Sequence, residues 1–259
     1  MDRWILRGII GLAQYGEGYY ADPENRKHLG IALAYNTVVR WYFENKCPEA
    51  KNRVTSLAEN APKNLSADEV RKSEVYFMQM IETFMVYLYP EVMDNKCGYI
   101  RDWTADKLLS IVDFTDKIVL DIGSGTGRLA FAAAQKARKV YASDPVDCLR
   151  EYMRDKIKKQ GIKNMVVLDG VVEALPFEDN TFDIVMSACV FGDDYDAEYA
   201  EMARVVKSGG YVIDCAGEED RKQDEPSEDM IRLGFEFSHY VSKNGGDVFN
   251  YWKQVKKNK

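Results

Sequence analysis

The sequence is poor in the residues that build inorganic centres. Its 259 residues include two histidines and five cysteines. His28 and His239 lie far apart, and Cys47, Cys97, Cys148, Cys189 and Cys215 contain no Cys-x-x-Cys pair. Zinc sites, iron–sulfur clusters and disulfide frameworks need clustered ligands, so no metal is expected here. An odd cysteine number fits a reducing compartment, and a cytoplasmic protein is expected. Clustered positive charge is missing as well: 35 Lys and Arg stand against 42 Asp and Glu, a formal net charge of −7, with no basic block among them. Binding nucleic acid or an anionic membrane depends on such clusters, so neither partner is expected. Nor is there an apolar run long enough to cross a bilayer. Trp4 to Ala13 is interrupted by Arg7 and followed by Gly16, Glu17 and Gly18, and it reads as an amphipathic helix packed on the protein. No fixed-period repeat or low-complexity tract is present.

What is there divides into two patterns. Over the first hundred residues the apolar spacing is helical. Asp22-Pro23 has the chemistry of a helix start, and Leu29, Leu33, Val38, Trp41 and Tyr42 continue the helical spacing to about Lys46, ahead of Pro48. Residues 49–60 read as a shorter helix. Ser66-Ala67-Asp68-Glu69 is a capping box opening a long helix to Tyr89, where Pro90 stops it. From Lys117 onward, β-branched runs alternate with amphipathic segments. Strands are predicted over residues 118–122, 139–143, 165–168, 182–187 and 211–215, with helices over 127–137, 146–160 and 197–207. Such alternation calls for a parallel sheet covered by helices on both faces. Residues 235–241 and 248–255 flank Asn244-Gly245-Gly246-Asp247 and read as an antiparallel hairpin.

The most informative segment is Val119-Leu120-Asp121-Ile122-Gly123-Ser124-Gly125-Thr126-Gly127-Arg128-Leu129-Ala130. A strand runs into three alternate glycines and then directly into a helix, a turn that lets a ligand lie against bare backbone. Nucleotide and dinucleotide binders share this feature. Here the spacing is Gly-x-Gly-x-Gly, and Asp121 sets a carboxylate at the strand end, where a pyrophosphate is repelled and an ammonium is welcome. The second strand ends in Asp144, whose carboxylate is placed to accept ribose hydroxyls. A ligand with a ribose and a cation but no pyrophosphate is S-adenosylmethionine.

Those residues belong to a longer series. The glycine segment, Asp144, Glu173-Ala174-Leu175-Pro176-Phe177 with Asn180-Thr181-Phe182-Asp183, and the run from Glu201 to Gly210 resemble the successive motifs of the class I S-adenosylmethionine-dependent methyltransferases. The nearest likeness is to the subgroup that includes the ubiquinone/menaquinone and many small-molecule methyltransferases. The resemblance runs from about Ile100 to Val255. It implies a Rossmann-like seven-stranded sheet of order 3-2-1-4-5-7-6 with the last strand antiparallel, which accounts for the hairpin. Residues 99–259 are then the cofactor-binding domain, and residues 1–98 a helical cap or lid.

Position by position, the resemblance implies that Gly123, Ser124 and Gly125 line the methionine part of the cofactor and Asp121 holds its amino group. Asp144 takes the ribose, Pro145 lies against the adenine, Val172 and Glu173 border the adenine edge, and Ala188 and Cys189 approach after strand four. Tyr99 and Arg101 stand where relatives carry a covering tyrosine or arginine. Gly170-Val171-Val172 replaces the usual Gly-Asp-Ala, so the carboxylate that often meets the adenine amino group is missing, with Asp169 two positions upstream. Asp193 and Asp194 are the candidates for a base or a cation-binding pair. The function implied is direct in-line methyl transfer to a small-molecule acceptor. The competing readings are a non-catalytic S-adenosylmethionine-binding module and an NAD-linked oxidoreductase. Methylation of nucleic-acid amino groups is not expected, because no Asn/Asp-Pro-Pro-aromatic element follows strand four, and the net negative charge favours neutral or cationic acceptors.

Overall fold

The computed structural model describes residues 3–11, 23–82, 84–192 and 194–257. The helix-start residue Asp22 and the base candidate Asp193 lie outside them. The chain divides into two compact units, Met1–Leu88 and Tyr89–Lys259.

The first unit is helical: α1 (Arg3–Gly11), α2 (Pro23–Tyr35), α3 (Thr37–Lys46), α4 (Lys51–Glu59) and α5 (Ala67–Glu82). The single helix predicted over 23–46 is two. Asn36 is extended, and its side chain accepts from the Val39 N–H at 3.1 Å, so it caps a new helix. That helix takes its own phase: Phe43 is buried, whereas Val38 and Trp41, predicted on the same buried stripe as Leu29, are exposed. In α2, Leu29 to Leu33 are buried consecutively, and a Cβ on Gly30 would stand 2.8 Å from the Leu57 carbonyl oxygen, so α2 lies hard against α4. The capping box forms as predicted, with Glu69 accepting from the Ser66 N–H at 2.8 Å and Ser66 Oγ from the Glu69 N–H at 3.4 Å. The helix it opens stops at Glu82, short of the predicted Tyr89. A 3-10 turn over Met85–Leu88 follows, and Tyr89, at φ −128°, ψ 74°, takes the extended geometry that the next residue, Pro90, imposes.

The second unit opens with three short helices, α6 (Pro90–Lys96), α7 (Gly98–Arg101) and α8 (Asp106–Leu109). There follow β1 (Ile118–Ile122), α9 (Arg128–Ala133), β2 (Lys139–Ser143), α10 (Asp147–Gln160), β3 (Met165–Leu168), β4 (Phe182–Ser187), α11 (Tyr195–Val205), β5 (Val206–Cys215), α12 (Glu228–Arg232), β6 (Glu236–Val241) and β7 (Asp247–Gln254). The sheet has the order β3-β2-β1-β4-β5-β7-β6, parallel through β5, with β7 antiparallel to both its neighbours. This is the predicted sheet. β5 starts earlier than expected, because Val206 already pairs with Phe182 before the register shifts at Gly209, which has φ +84°.

Strand alternation sorts the core into two layers. Val119, Val140, Met186 and Ile213 pack with Leu129 and Met153 on one face, while Leu120, Val185, Val212 and Tyr251 pack with Met202 and Met230 on the other. Burying each such side chain stabilises the fold by about 1.5–3 kcal/mol. The same alternation sends Asp121 to the α9 face, and sends Ser187 and Asp214 to the α11 face. Among the described residues, no helix is long and apolar enough to cross a membrane.

Candidate active site

The turn after β1 is built by backbone conformation. Gly123, Gly125 and Gly127 have φ of +62°, +58° and +93°, a region where side chains are strained. A Cβ on Gly127 would also fall 2.5 Å from the Phe131 ring. The turn is tied to β2: Ser124 donates its N–H to the Ser143 carbonyl at 3.0 Å, and Gly125 donates to Asp144 Oδ2 at 2.8 Å. The other oxygen of Asp144 accepts from the Val146 N–H at 2.8 Å, and Arg150 holds its carbonyl at 2.7 Å. Asp144 is therefore the tie between the glycine turn and the next helix, whose cap position falls to Val146.

Among the described residues, Asp121 Oδ2 near the end of β1, Thr126 Oγ1 in the glycine turn and Ser143 Oγ at the end of β2 are buried without a hydrogen-bond partner, as are Trp103 Nε1, Tyr240 OH and Asn250 Oδ1. Leaving such a group unsatisfied costs about 1–3 kcal/mol, so the Asp121 carboxylate beside the glycine turn is a candidate for a group that a ligand completes. Burial pushes the Asp121 carboxyl up to about 7. Gly170 brings the loop after β3 against the end of β2, since a Cβ there would lie 2.5 Å from Ser143 Oγ. In that loop Val172 points into the core, Glu173 is exposed, and Asp169 pairs with Arg150 at 3.2 Å.

At the end of β4, Ala188 packs on the α9-side core, and Cys189 is an exposed residue at φ +57°. A left-handed non-glycine residue is uncommon and gathers at functional sites. Desolvation by the surrounding protein, with the charges of Asp214 and Glu219 adding to it, pushes its thiol up to about 11, so it stays protonated at neutral pH and is a poor nucleophile. Asp194 caps α11, accepting from the Ala197 N–H at 3.0 Å. Tyr99 reaches the carboxyl ends through its backbone: its carbonyl accepts from the Glu218 N–H at 3.0 Å, and a Cβ on Gly217 would fall 2.4 Å from that oxygen. Arg101 is engaged with the adjacent Asp102 at 2.6 Å. Pro145 is half-buried.

Sequence reasoning missed four contributors. Arg128 donates to the Cys215 and Ala216 carbonyls at 2.9 and 3.0 Å and lies 4.7 Å over the Trp103 ring, joining the glycine turn to the end of β5. A cation in the first turn of a helix opposes the dipole, and that anomaly was its signal. Met93 is buried with its sulfur 4.0 Å from where a Cβ on Gly125 would be, and Asp94 pairs with Lys156 at 2.8 Å. These contacts place Tyr89 to Gly98 with the sheet unit, not with the helices before it. Asp214 interrupts an apolar strand run and accepts from Ser187 Oγ at 2.9 Å.

A methyltransferase-domain family matches residues 119–210, from β1 through the turn in β5. Residues 119–210, within unit two, carry a class I S-adenosylmethionine-dependent methyltransferase domain. The chain shares 42% identity over 102 residues with the ubiquinone/menaquinone biosynthesis C-methyltransferase of Cupriavidus necator, covering 37% of this chain and 41% of that one. With a probable histone-arginine methyltransferase of Drosophila melanogaster it shares 27% over 168 residues, 62% of this chain and 30% of that one. The crystal structure of an S-adenosylmethionine-dependent methyltransferase from Aquifex aeolicus has the same fold, with a TM-score of 0.52 at 20% identity, covering 65% of this chain and 98% of that one. The match thus spans about two-fifths of the length of the quinone-pathway relative.

S-adenosylmethionine is the cofactor of this family, and the residues present fit it. A buried carboxylate oxygen without a partner suits an ammonium, the positive-φ glycines leave backbone bare, and the unpartnered Ser143 and Thr126 hydroxyls border the same strand ends. Among the described residues, no three His, Cys, Asp or Glu come together as metal ligands.

Proposed function

We propose that this chain methylates a small-molecule acceptor by direct in-line transfer, in the cytoplasm. The single observation that supports this best is Asp121, a buried carboxylate with an unpartnered oxygen beside a three-glycine left-handed turn. S-adenosylmethionine, when bound, supplies an electrophilic methyl group on a sulfonium. In this reading Asp121 holds the cofactor's ammonium, which also returns the buried carboxyl to its charged form. Gly123, Ser124 and Gly125 present backbone to the methionine portion. Asp144 meets the ribose, with Pro145, Val172 and Glu173 around the adenine. Val172 serves through its backbone, since its side chain is committed to the core. Ala188 and Cys189 border the sulfur side, and Tyr99 covers the site. The protein's contribution is alignment and exclusion of water, which by themselves lower the barrier to a displacement by several kcal/mol. The helical unit, residues 1–88, selects the acceptor in this proposal.

Calorimetry with S-adenosylmethionine and S-adenosylhomocysteine tests the reading. Binding of both is expected. No heat with either sinks it, and binding without turnover across an acceptor panel turns it into a cofactor-binding module. A folded 89–259 fragment is expected to retain cofactor binding and lose acceptor turnover; full turnover would remove the helical unit from acceptor selection.

A further inference from the structure

We infer that the acceptor is an amine and that Asp214, at the carboxyl end of β5, receives it. The inference rests on the methyltransferase reading and names the substrate class of that site. Asp214 stands opposite Ser187 of β4 and Tyr251 of β7 in the sheet register. Strand alternation turns it to the α11 face, whereas Asp121 turns to the α9 face. The two carboxyls therefore flank the ends of β1, β4 and β5 from opposite sides, one toward the cofactor cradle and one beyond it.

Asp214 is half satisfied and still reachable. Ser187 donates to Oδ1 at 2.9 Å, and among the described residues Asp214 has no ion pair with Lys, Arg or His. The residue keeps solvent contact, so it lies recessed and not sealed. Its surroundings are aromatic: Tyr251 across the sheet register, and Tyr195 at the start of α11, stacked on Phe191 at 5.8 Å. Both phenols are pushed up, first by burial, with the Asp214 charge contributing. A recessed carboxylate beside aromatic rings is the arrangement that recognises an ammonium. Burial pushes Asp214 up to about 6, against the opposing effects of Ser187 and Arg128, so at neutral pH it is ionised yet more basic than an ordinary aspartate.

The chemistry balances. An ammonium R–NH3+ gives one proton to Asp214. The freed nitrogen lone pair forms the N–CH3 bond as the S–CH3 bond breaks, and that bond's electron pair remains on sulfur as a thioether. The products are a methylated ammonium, a neutral carboxylic acid and a neutral thioether, so the total charge is unchanged.

Phenethylamine and its neutral analogue 2-phenylethanol are titrated by calorimetry at pH 8 into the full chain, with and without S-adenosylhomocysteine. The wild type is expected to favour the amine by at least about tenfold. Asp214→Asn should erase that preference while S-adenosylhomocysteine affinity stays within about threefold. Tyr195→Leu, which spares the carboxylate, should weaken the amine about three- to tenfold and serves if the first variant does not fold. Below about pH 6 the amine preference should fade as Asp214 protonates; the other ionisable groups that interact with it are Arg128, Cys189, Tyr195, Cys215 and Tyr251. A wild type that does not favour the amine overturns the inference, as does a preference that survives Asp214→Asn. Loss of S-adenosylhomocysteine binding with the amine preference intact would instead refute the cofactor reading alone.

Discussion

Asp183 and Asp121 lie on neighbouring strands of one sheet, at opposite ends, and the fold treats them in opposite ways. At the amino ends, Asp183 accepts from the Ile118 N–H at 2.8 Å and from Lys207 at 2.8 Å. Burial alone would raise it, but these partners outweigh burial and hold it below the usual carboxylate range. At the carboxyl ends, Asp121 has an oxygen without a partner and is pushed up to about 7, and Asp214 up to about 6. One end spends its aspartate on stability. The other tolerates instability, which is the expected signature of a surface that binds.

The comparison breaks most readily at the glycine turn. Gly125→Asp puts a strained residue and a further negative charge beside Asp121 and Asp144, and S-adenosylhomocysteine affinity should fall at least about a hundredfold by calorimetry. A folded variant with unchanged affinity would remove the turn from the site. Asp121→Asn should weaken the cofactor about ten- to a hundredfold, and it also tests the electrostatics. In the free protein Asp121 keeps a proton that the unfolded chain releases near pH 4, so stability should fall as pH rises between about 4 and 7. Asp214 adds a decline of the same sign up to about 6. The asparagine variant should be more stable than the wild type at pH 8 and flatter between pH 6 and 7 in thermal melts. A wild-type curve that rises through that window would contradict the buried, unpaired state of Asp121.

At the other end the signs reverse. Asp183→Asn should lower stability at pH 7 by about 1–2 kcal/mol in urea titrations and leave cofactor affinity alone. Because the Asp183 pKa is depressed, its contribution is present above the unfolded value near 4 and is lost as pH falls through the folded one, so the two proteins should converge in acid. The smallest effect is expected from Asp194→Ala, about 0.5–2 kcal/mol for a lost helix cap with unchanged turnover. A large loss of turnover there would restore Asp194 as a base.

Much of the fold was legible in the chain. The strands over 118–122, 139–143, 165–168 and 182–187 have the predicted limits, because buried β-branched runs bounded by turns leave little freedom in register. The capping box at Ser66 was equally legible, since it is a contact between residues three apart. Boundaries failed where a single polar residue intervened. Asn36 divided one predicted helix into two and rotated Val38 and Trp41 outward, a competition between side chain and backbone that periodicity does not register.

In the candidate site, the glycines and Asp144 were legible because their roles follow from backbone freedom and strand ends. Arg128 and Asp214 were not singled out. Arg128 acts on carbonyls 87 and 88 residues away, and Asp214 on a serine 27 residues away, separations that no local pattern encodes.

The sequence by itself determined the alternation of strands and helices, the glycine turn and the family, because each is written in short-range spacing. Tertiary structure alone decided which aspartates are paired. Asp121, Asp183 and Asp214 are one residue type on neighbouring strands, and pairing depends on what the fold brings within about 3 Å of each carboxylate. Lysine and backbone amide meet Asp183, a serine meets Asp214, and one oxygen of Asp121 meets nothing. A carboxylate's charge is cheap in water and costly in the interior, so its neighbours in space set its state.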